Sequence, residues 1–483
     1  MCVRMWPRTW QGDAAISIFG DIADTALAPV RGAAGTVATL FGDQTVRIGV
    51  TGLARAGKTV FVTSLVANLL ERGRMPQLSA AAEGRIEAAF LQPQPDDTIP
   101  RFPFEASLGA LTGAQPRWPV PTSAVAALRL SLRVRPSGLL GGMQGVRTVH
   151  LDIVDYPGEW ILDLGLLETT FEDWSARVLG RLGERPEMAA FRAALAETDP
   201  DAPHSEPAAE ALARTYTDGL RALREAGMSD CTPGRFLMPG ELAGSPALTF
   251  APLPTGEAPR GSLAREFSRR YGAYVARVVK PFFREHFARI DRQVVLVDAL
   301  EAIHHGPAAV ADLERAMADL LRAFRPGRTG VLGRLLGFRR IDRVLFAATK
   351  ADHLHSSQHP RLAAILEHLV TDARRRAEFA GARTGAMAIA ALRATVEQSV
   401  EHEGRPLDVV RGRLWEDGAP GKEAAFHPGE LPEDPSAVTR GGDWLADWGL
   451  MRFAPAPLTL RPGEGPPHIR LDRAAEFLFG DKL

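Results

Sequence analysis

Cysteine is nearly absent. The 483-residue chain has two, Cys2 and Cys231. Two thiols so far apart cannot staple a chain of this size and offer no metal-ligand spacing. That excludes a disulfide scaffold or a zinc module and fits a reducing cytoplasm. An excess of one charge is lacking too: 57 Lys and Arg against 58 Asp and Glu leave a formal net charge of −1. No global field therefore points to nucleic acid or an anionic membrane. Nor is there an unbroken apolar run of about 18 residues, the length that reads as a membrane helix. Residues 1–45 carry Trp6, Trp10, Ile16, Ile18 and Phe19, but Asp13, Asp21, Asp24 and Arg31 interrupt them. No compact apolar stretch with a small-residue cleavage site follows the basic start, so a signal peptide is not expected. The segment reads as an N-terminal helix docked on a domain, with a helix for a membrane surface or partner as the alternative. No internal repeat is visible, and no Ser-His-Asp or Cys-His arrangement can be argued. His304, His305, His353, His355 and His359 lack metal spacing and read as polar loop residues.

What is present is the composition of a soluble globular protein, 45% hydrophobic and 24% charged. The length predicts two or three domains. Val46, Ile48 and Val50 alternate with polar neighbours as a strand, and Phe61, Leu65 and Leu69 then recur at helical spacing. Short helical pieces are predicted around 79–91 and 105–112. Leu128, Leu130, Leu132 and Val134 form a half-exposed strand that hairpins onto the run Val149–Asp155. Residues 160–289 read as helical, with a disordered-looking stretch near 199–208. Two buried strands, Val294–Val297 and Val344–Ala348, alternate with helices, and Met387–Ala390 is a last short strand. Continuous apolar strands separated by helices indicate a mostly parallel sheet covered on both faces, a three-layer α/β/α core with a helical insertion and a small C-terminal extension. After about residue 400, Gly, Pro and short β-like runs lead to a helix over Arg473–Phe479. Trp444 and Trp448, at i and i+4, are expected to pack on a domain face.

The first strand runs directly into Gly52-Leu53-Ala54-Arg55-Ala56-Gly57-Lys58-Thr59, a complete G-x-x-x-x-G-K-[ST] match in the strand–loop–helix context that a phosphate loop requires. Gly52 and Gly57 permit a turn whose amides, from Ala54 through Arg55 and Ala56 to Val60, face phosphate. The helix after Gly57 adds the positive end of its dipole. Lys58 supplies a point charge between β- and γ-phosphates, and Thr59 offers a hydroxyl to Mg²⁺. Arg55 is a candidate extra charge at the γ-phosphate, with an arginine from a partner as the rival. The alternative for the whole segment is a glycine turn with an incidental lysine.

Asp155-Tyr156-Pro157-Gly158 ends the hairpin's second strand. A carboxylate there can hold a magnesium-bound water opposite Thr59, and Gly158 can present its N–H to the γ-phosphate. Asp152 lies three residues earlier and faces the other way in a regular strand, so Asp155 is preferred. Glu159 follows, where many small GTPases place the Gln that orients water. It reads either as that group or as a surface residue starting a helix. The strand Val344–Ala348 ends in Thr349-Lys350-Ala351-Asp352. Guanine presents two donors to one carboxylate and adenine has no such pair, so Asp352 is the expected base reader. Lys350 would lay its stem along the ring, and the Thr349 hydroxyl would tie this loop to the phosphate loop. Ala391, Leu392 and Arg393, after the last strand, are candidates for amide contacts to guanine O6. The cofactors expected are therefore GTP or GDP with Mg²⁺.

These runs, Val50–Leu53 through Lys58-Thr59, Ile153–Trp160 and Thr349–Asp352, together with the ending His468–Asp472 and Gly480–Leu483, resemble the YcjX-like family of bacterial GTPases over nearly the whole chain. The resemblance implies a Ras-like core with inserted and appended domains, a bacterial stress-response setting and membrane-associated partners, hence a cytoplasmic protein peripheral to the inner membrane. It also implies that Thr122 is the switch threonine that touches Mg²⁺. Position alone leaves Thr98 as the alternative. The domain division expected is 1–44 as an N-terminal helical segment, 45–160 and 290–400 as the two parts of the nucleotide-binding core, 161–289 as a helical insertion, and 401–483 as a C-terminal extension or small α+β module. Residues 322–340, rich in arginine, read as a connector or as a basic amphipathic helix. The leading functional expectation is a GTPase switch. A nucleotide-bound scaffold with little turnover and an ATP-using P-loop enzyme are its competitors. Oligomeric state is not legible.

Overall fold

Among the described residues, seven strands form one sheet in the order β2-β3-β4-β1-β5-β6-β7. They are β1 (Gln44–Gly52), β2 (Ile86–Gln92), β3 (Ala126–Val134), β4 (Arg147–Asp155), β5 (Arg292–Val297), β6 (Arg343–Ala348) and β7 (Arg383–Ala388). The computed structural model describes residues 43–483 except 54, 122–123, 138–144, 183–184, 255, 257, 323–340 and 417. Residues Met1–Gln44 and Thr45–Leu483 form separate units. The expected N-terminal helix and all but the first residue of the arginine-rich stretch lie outside the described residues. Strands β1, β5, β6 and β7 run parallel, whereas β3 is antiparallel to both β2 and β4.

Alternation along the central strands sends side chains into two cores. Ile48, Val50, Val294, Leu296, Leu345 and Ala347 pack under the helices Lys58–Glu71 and Leu471–Phe479. Val295, Val297, Phe346 and Ala348 face the other way, into a core shared with the helices Phe171–Leu182, Glu206–Glu225 and Leu263–Tyr274 of the insertion. The result is the expected mostly parallel, three-layer α/β/α arrangement.

Two local expectations are corrected. Residues 79–91 contain one helical turn, Ser79–Ala82, and then β2. The alanine-rich sequence IEAAFLQ favours helix, but pairing with β3 at the sheet edge overrides propensity. The stretch near 199–208 is ordered: Pro200 and Ala202 carbonyls accept the amides of Ala264 and Leu263, and Ser205 precedes the long helix Glu206–Glu225. Between β6 and β7 the chain forms two helices, His359–Leu369 and Thr371–Phe379.

The β-like runs after 396 become an antiparallel meander, β8 (Val396–His402), β9 (Arg405–Glu416) and β10 (Ala419–Phe426). Glu403 and Gly404, both with positive φ, make the two-residue turn that joins β8 to β9. Trp444 and Trp448 meet edge to face at 6.4 Å, and Trp448 is buried in the insertion-side core. The chain then returns to the sheet. Buried Arg292 donates to the Leu478 carbonyl (3.0 Å) and pairs with Asp342 (2.6 Å) and Asp481 (3.0 Å). That clasp gives the ending Gly480–Leu483 a structural task. Among the described residues no helix is long and apolar enough to cross a membrane.

Candidate nucleotide-binding site

The sheet's central strand delivers the phosphate loop. A Cβ on Gly52 would lie 2.6 Å from the Leu296 carbonyl oxygen, so only glycine lets the loop leave β1 this close to β5. Arg55 and Gly57 both have positive φ, at 62° and 82°. Gly57 precedes the helix Lys58–Glu71, and no side chain caps it. The first-turn amides of such a helix are the groups that take an anion. Lys58 Nζ folds back to the carbonyls of Gly52 (2.6 Å) and Leu53 (3.4 Å), which holds its charge over the loop. Thr59 is buried beside it. Ala54 lies outside the described residues.

The end of β4 meets this loop from the neighbouring strand. A Cβ on Gly158 would sit 1.9 Å from the Gly52 carbonyl oxygen, so the two loops touch backbone to backbone. Tyr156 turns into the core, donating to Gln293 Oε1 at 2.7 Å and packing edge-on to Phe282. Asp152 is taken by Arg129 in a bidentate pair (2.6 and 2.8 Å) and by Arg47 at 3.8 Å. Asp155, buried at the strand end, is the carboxylate on the phosphate-loop side. Thr59 and Asp155 are a hydroxyl and a carboxylate, a hard-oxygen donor pair that suits Mg²⁺. No group of three His, Cys, Asp or Glu able to hold a metal occurs among the described residues, and a cation held largely by phosphate and water does not need one.

Glu159 is not a surface residue. It is 7% exposed and opens the short helix Glu159–Leu162. Thr122 lies outside the described residues. Thr98 is turned onto Asp96, donating through its amide (3.1 Å) and hydroxyl (2.5 Å). Asp96 lines a separate cleft with Arg47. Arg47 lies down β1 from Gly52, roughly 16 Å away at strand rise. Thr98 is thus not brought to the phosphate loop.

On the base side, Asp352 is 4% exposed and accepts the Ala394 amide at 2.8 Å. Burial pushes its carboxyl up to about 6. Lys350, with φ 59°, pairs through Nζ with Asp298. Two expectations change here. The Thr349 hydroxyl donates to the Val297 carbonyl (3.4 Å), tying the loop to the end of β5 and not to the phosphate loop. The Arg393 amide is committed to the Pro467 carbonyl (2.8 Å) and the Ala390 amide to Ile469 (3.1 Å), which leaves Ala391 and Leu392 as the candidate donors to a base. His353 and His359 are buried and not polar loop residues. His359 Nε2 donates to the Ala351 carbonyl at 2.8 Å.

Sequence reading missed the wall that closes this region. A cleft of about 70 Å³ is lined by Leu53, Arg55 and Glu159 on the core side and by Arg224 and Cys231 of the insertion. Burial pushes the Cys231 thiol up to about 12, so it is inert as a nucleophile. No periodicity or motif marks Arg224, because only the fold brings it beside the loop.

The sequence profile of the YcjX-like family, DUF463, matches residues 46–483. An Escherichia coli protein named Ras-like GTPase YcjX is 38% identical over 456 residues, 91% of this chain and 96% of that protein. A Shewanella oneidensis protein of the same name is 34% identical over 469 residues, 91% of this chain and 95% of that one. With the phosphate loop, the Asp155–Gly158 turn and the clasped C-terminal ending all inside the matched region, the chain belongs to the YcjX-like family.

Proposed function

We propose that this protein binds GTP and hydrolyses it to GDP as a conformational switch. The observation that carries the reading is the backbone contact between Gly158 and Gly52, which supports a γ-phosphate contact from Gly158 beside the candidate phosphate loop. The names of the two relatives support the same activity. Lys58 and the loop amides would hold the β- and γ-phosphates. Asp352, with Ala391 and Leu392 beside it, would read guanine, and Lys350 would flank the ring. Mg²⁺, held by the Thr59 hydroxyl and through water by Asp155, would neutralise phosphate oxygens. Glu159, at the start of the helix that follows Gly158, would orient the attacking water. Loss of the γ-phosphate would release Gly158, and that release is the switch.

We assign residues 45–160 and 290–400 to the nucleotide-binding core, 161–289 to the insertion and 401–483 to the extension. The family resemblance supports a role in a bacterial stress response, at the cytoplasmic side of the inner membrane with a membrane-associated partner. The test is equilibrium binding of GDP and ADP to the wild type and to Asp352→Asn. The expected result is GDP bound at least about 100-fold more tightly than ADP, with the preference lost in the variant. Equal affinity for the two nucleotides in the wild type would move the protein to the ATP-using class.

A further inference from the structure

We infer that Arg224, carried by the insertion, is the in-chain cation that meets the terminal phosphate during hydrolysis. This rests on the GTPase reading above and names the group that reading leaves open.

Arg224 lies in the last turn of the helix Glu206–Glu225 and lines the same cleft of about 70 Å³ as Arg55 and Glu159. Among the described residues, neither the Arg224 nor the Arg55 guanidinium has a hydrogen bond or ion pair. The other charges around the cleft are mostly committed. Asp298 is neutralised by Lys350 and Glu301 by Arg452 at 2.6 Å. Arg181 is paired with Asp230, and the Arg235 guanidinium lies 3.2 Å over the Trp160 ring. Glu225 is exposed to solvent. An uncommitted guanidinium lining the same cleft as the phosphate-loop residues Leu53 and Arg55 is an arrangement that a more negative ligand would fill.

The chain after Arg224 is fastened to the segment that reads the phosphate. Asp312 Oδ2 accepts the amides of Ser229 (2.7 Å) and Asp230 (3.0 Å). The Gly234 amide donates to Asp163 Oδ1 at 2.8 Å, and the Tyr274 hydroxyl donates to the other oxygen at 2.5 Å. A Cβ on Gly234 would lie 2.3 Å from the Glu159 carbonyl oxygen. The insertion therefore grips the helix that begins one residue after Gly158, and a shift of Gly158 toward a γ-phosphate carries the Arg224 wall with it. In the step itself, water oxygen bonds to the γ-phosphorus while the bond to the β–γ bridging oxygen breaks. GDP leaves, one water proton stays on orthophosphate and one goes to solvent. Negative charge grows on the bridging oxygen and is shared across the γ-oxygens, where a guanidinium has most effect.

The experiment uses the full-length protein with GDP, Mg²⁺ and aluminium fluoride, an analogue of the transferring phosphoryl group, beside single-turnover GTP hydrolysis. In the wild type, aluminium fluoride should tighten GDP binding with no partner protein present. Arg224→Ala should bind GDP within about threefold of wild type, lose the fluoride-dependent gain, and hydrolyse GTP at least about 100-fold more slowly. Arg224→Lys should recover part of both. If Arg224→Ala melts at the assay temperature, Arg224→Gln carries the measurement. A variant that keeps the fluoride response and a rate within threefold of wild type overturns the inference, as does loss of both in Arg55→Ala alone, which gives the charge to the phosphate loop. A wild type that binds no guanine nucleotide also overturns it, but through failure of the GTPase reading, which the GDP titration reports separately.

Discussion

The two ends of the candidate nucleotide site are built by different means. The proposed phosphate end is local: β1, the loop from Gly52 to Thr59 and the following helix are consecutive in the chain, and what they offer a phosphate is backbone shape and one lysine. The base end is assembled from afar. Asp352 is oriented by the amide of Ala394, and the loop before Ala394 is held by carbonyls of Pro467 and Ile469. A local grip can be read as a motif, while a distant one is seen only when the chain has folded.

Lys58→Ala should expose that contrast most sharply. Binding of both GDP and free pyrophosphate should weaken by about 100-fold in calorimetry, because a hydrogen-bonded charge is lost from the phosphate end and nothing at the base end replaces it. Retained pyrophosphate binding would break the division. Gly158→Ala comes next. Its methyl would lie 1.9 Å from the Gly52 oxygen, so the loops must part. Thermal unfolding should report a loss of about 1–3 kcal/mol, and the GTP-dependent change in tryptic cleavage should vanish.

Acid should act on the other end. The Asp352 carboxyl is raised to about 6, and only its ionised form accepts two guanine donors. GDP affinity should be full above about pH 7 and fall by about tenfold at pH 5. Asp352→Asn should be weak at every pH, with a flatter profile. In the empty protein the sign reverses: an acid raised above its unfolded value costs stability above pH 6, and that cost fades as pH falls toward 4. Thr349→Val should matter least. Its hydroxyl bond to Val297 is long, and GDP affinity should stay within about threefold by the same titration.

Much of the fold was legible because its signals are short-range. The alternation of Val46, Ile48 and Val50, the buried runs at 294–297 and 344–348, and the hairpin of 128–134 onto 149–155 all appear as strands. β2 was not, because Ala88 and Ala89 have no strand preference of their own and owe their conformation to β3. In the candidate site, Lys58, Asp155 and Asp352 lie at or just after the ends of β1, β4 and β6, as their motifs imply. The Arg393 amide does not, because its donor is spent on a residue more than seventy positions later. Burial of Glu159 under Gly234 was equally unreadable, since nothing in a sequence says that an insertion folds back over the helix it interrupts.

The segment around Pro467 and Ile469, which props the loop beside Asp352, has a consequence for how the protein is made. On the proposed reading, a nascent chain emerging from the ribosome would complete its phosphate grip once β5 has been translated. It would discriminate between purine rings only after the segment around Pro467 and Ile469 has been made. Newborn molecules would pass through a stage in which any nucleoside triphosphate is held with little preference, and selectivity would be the final property they acquire.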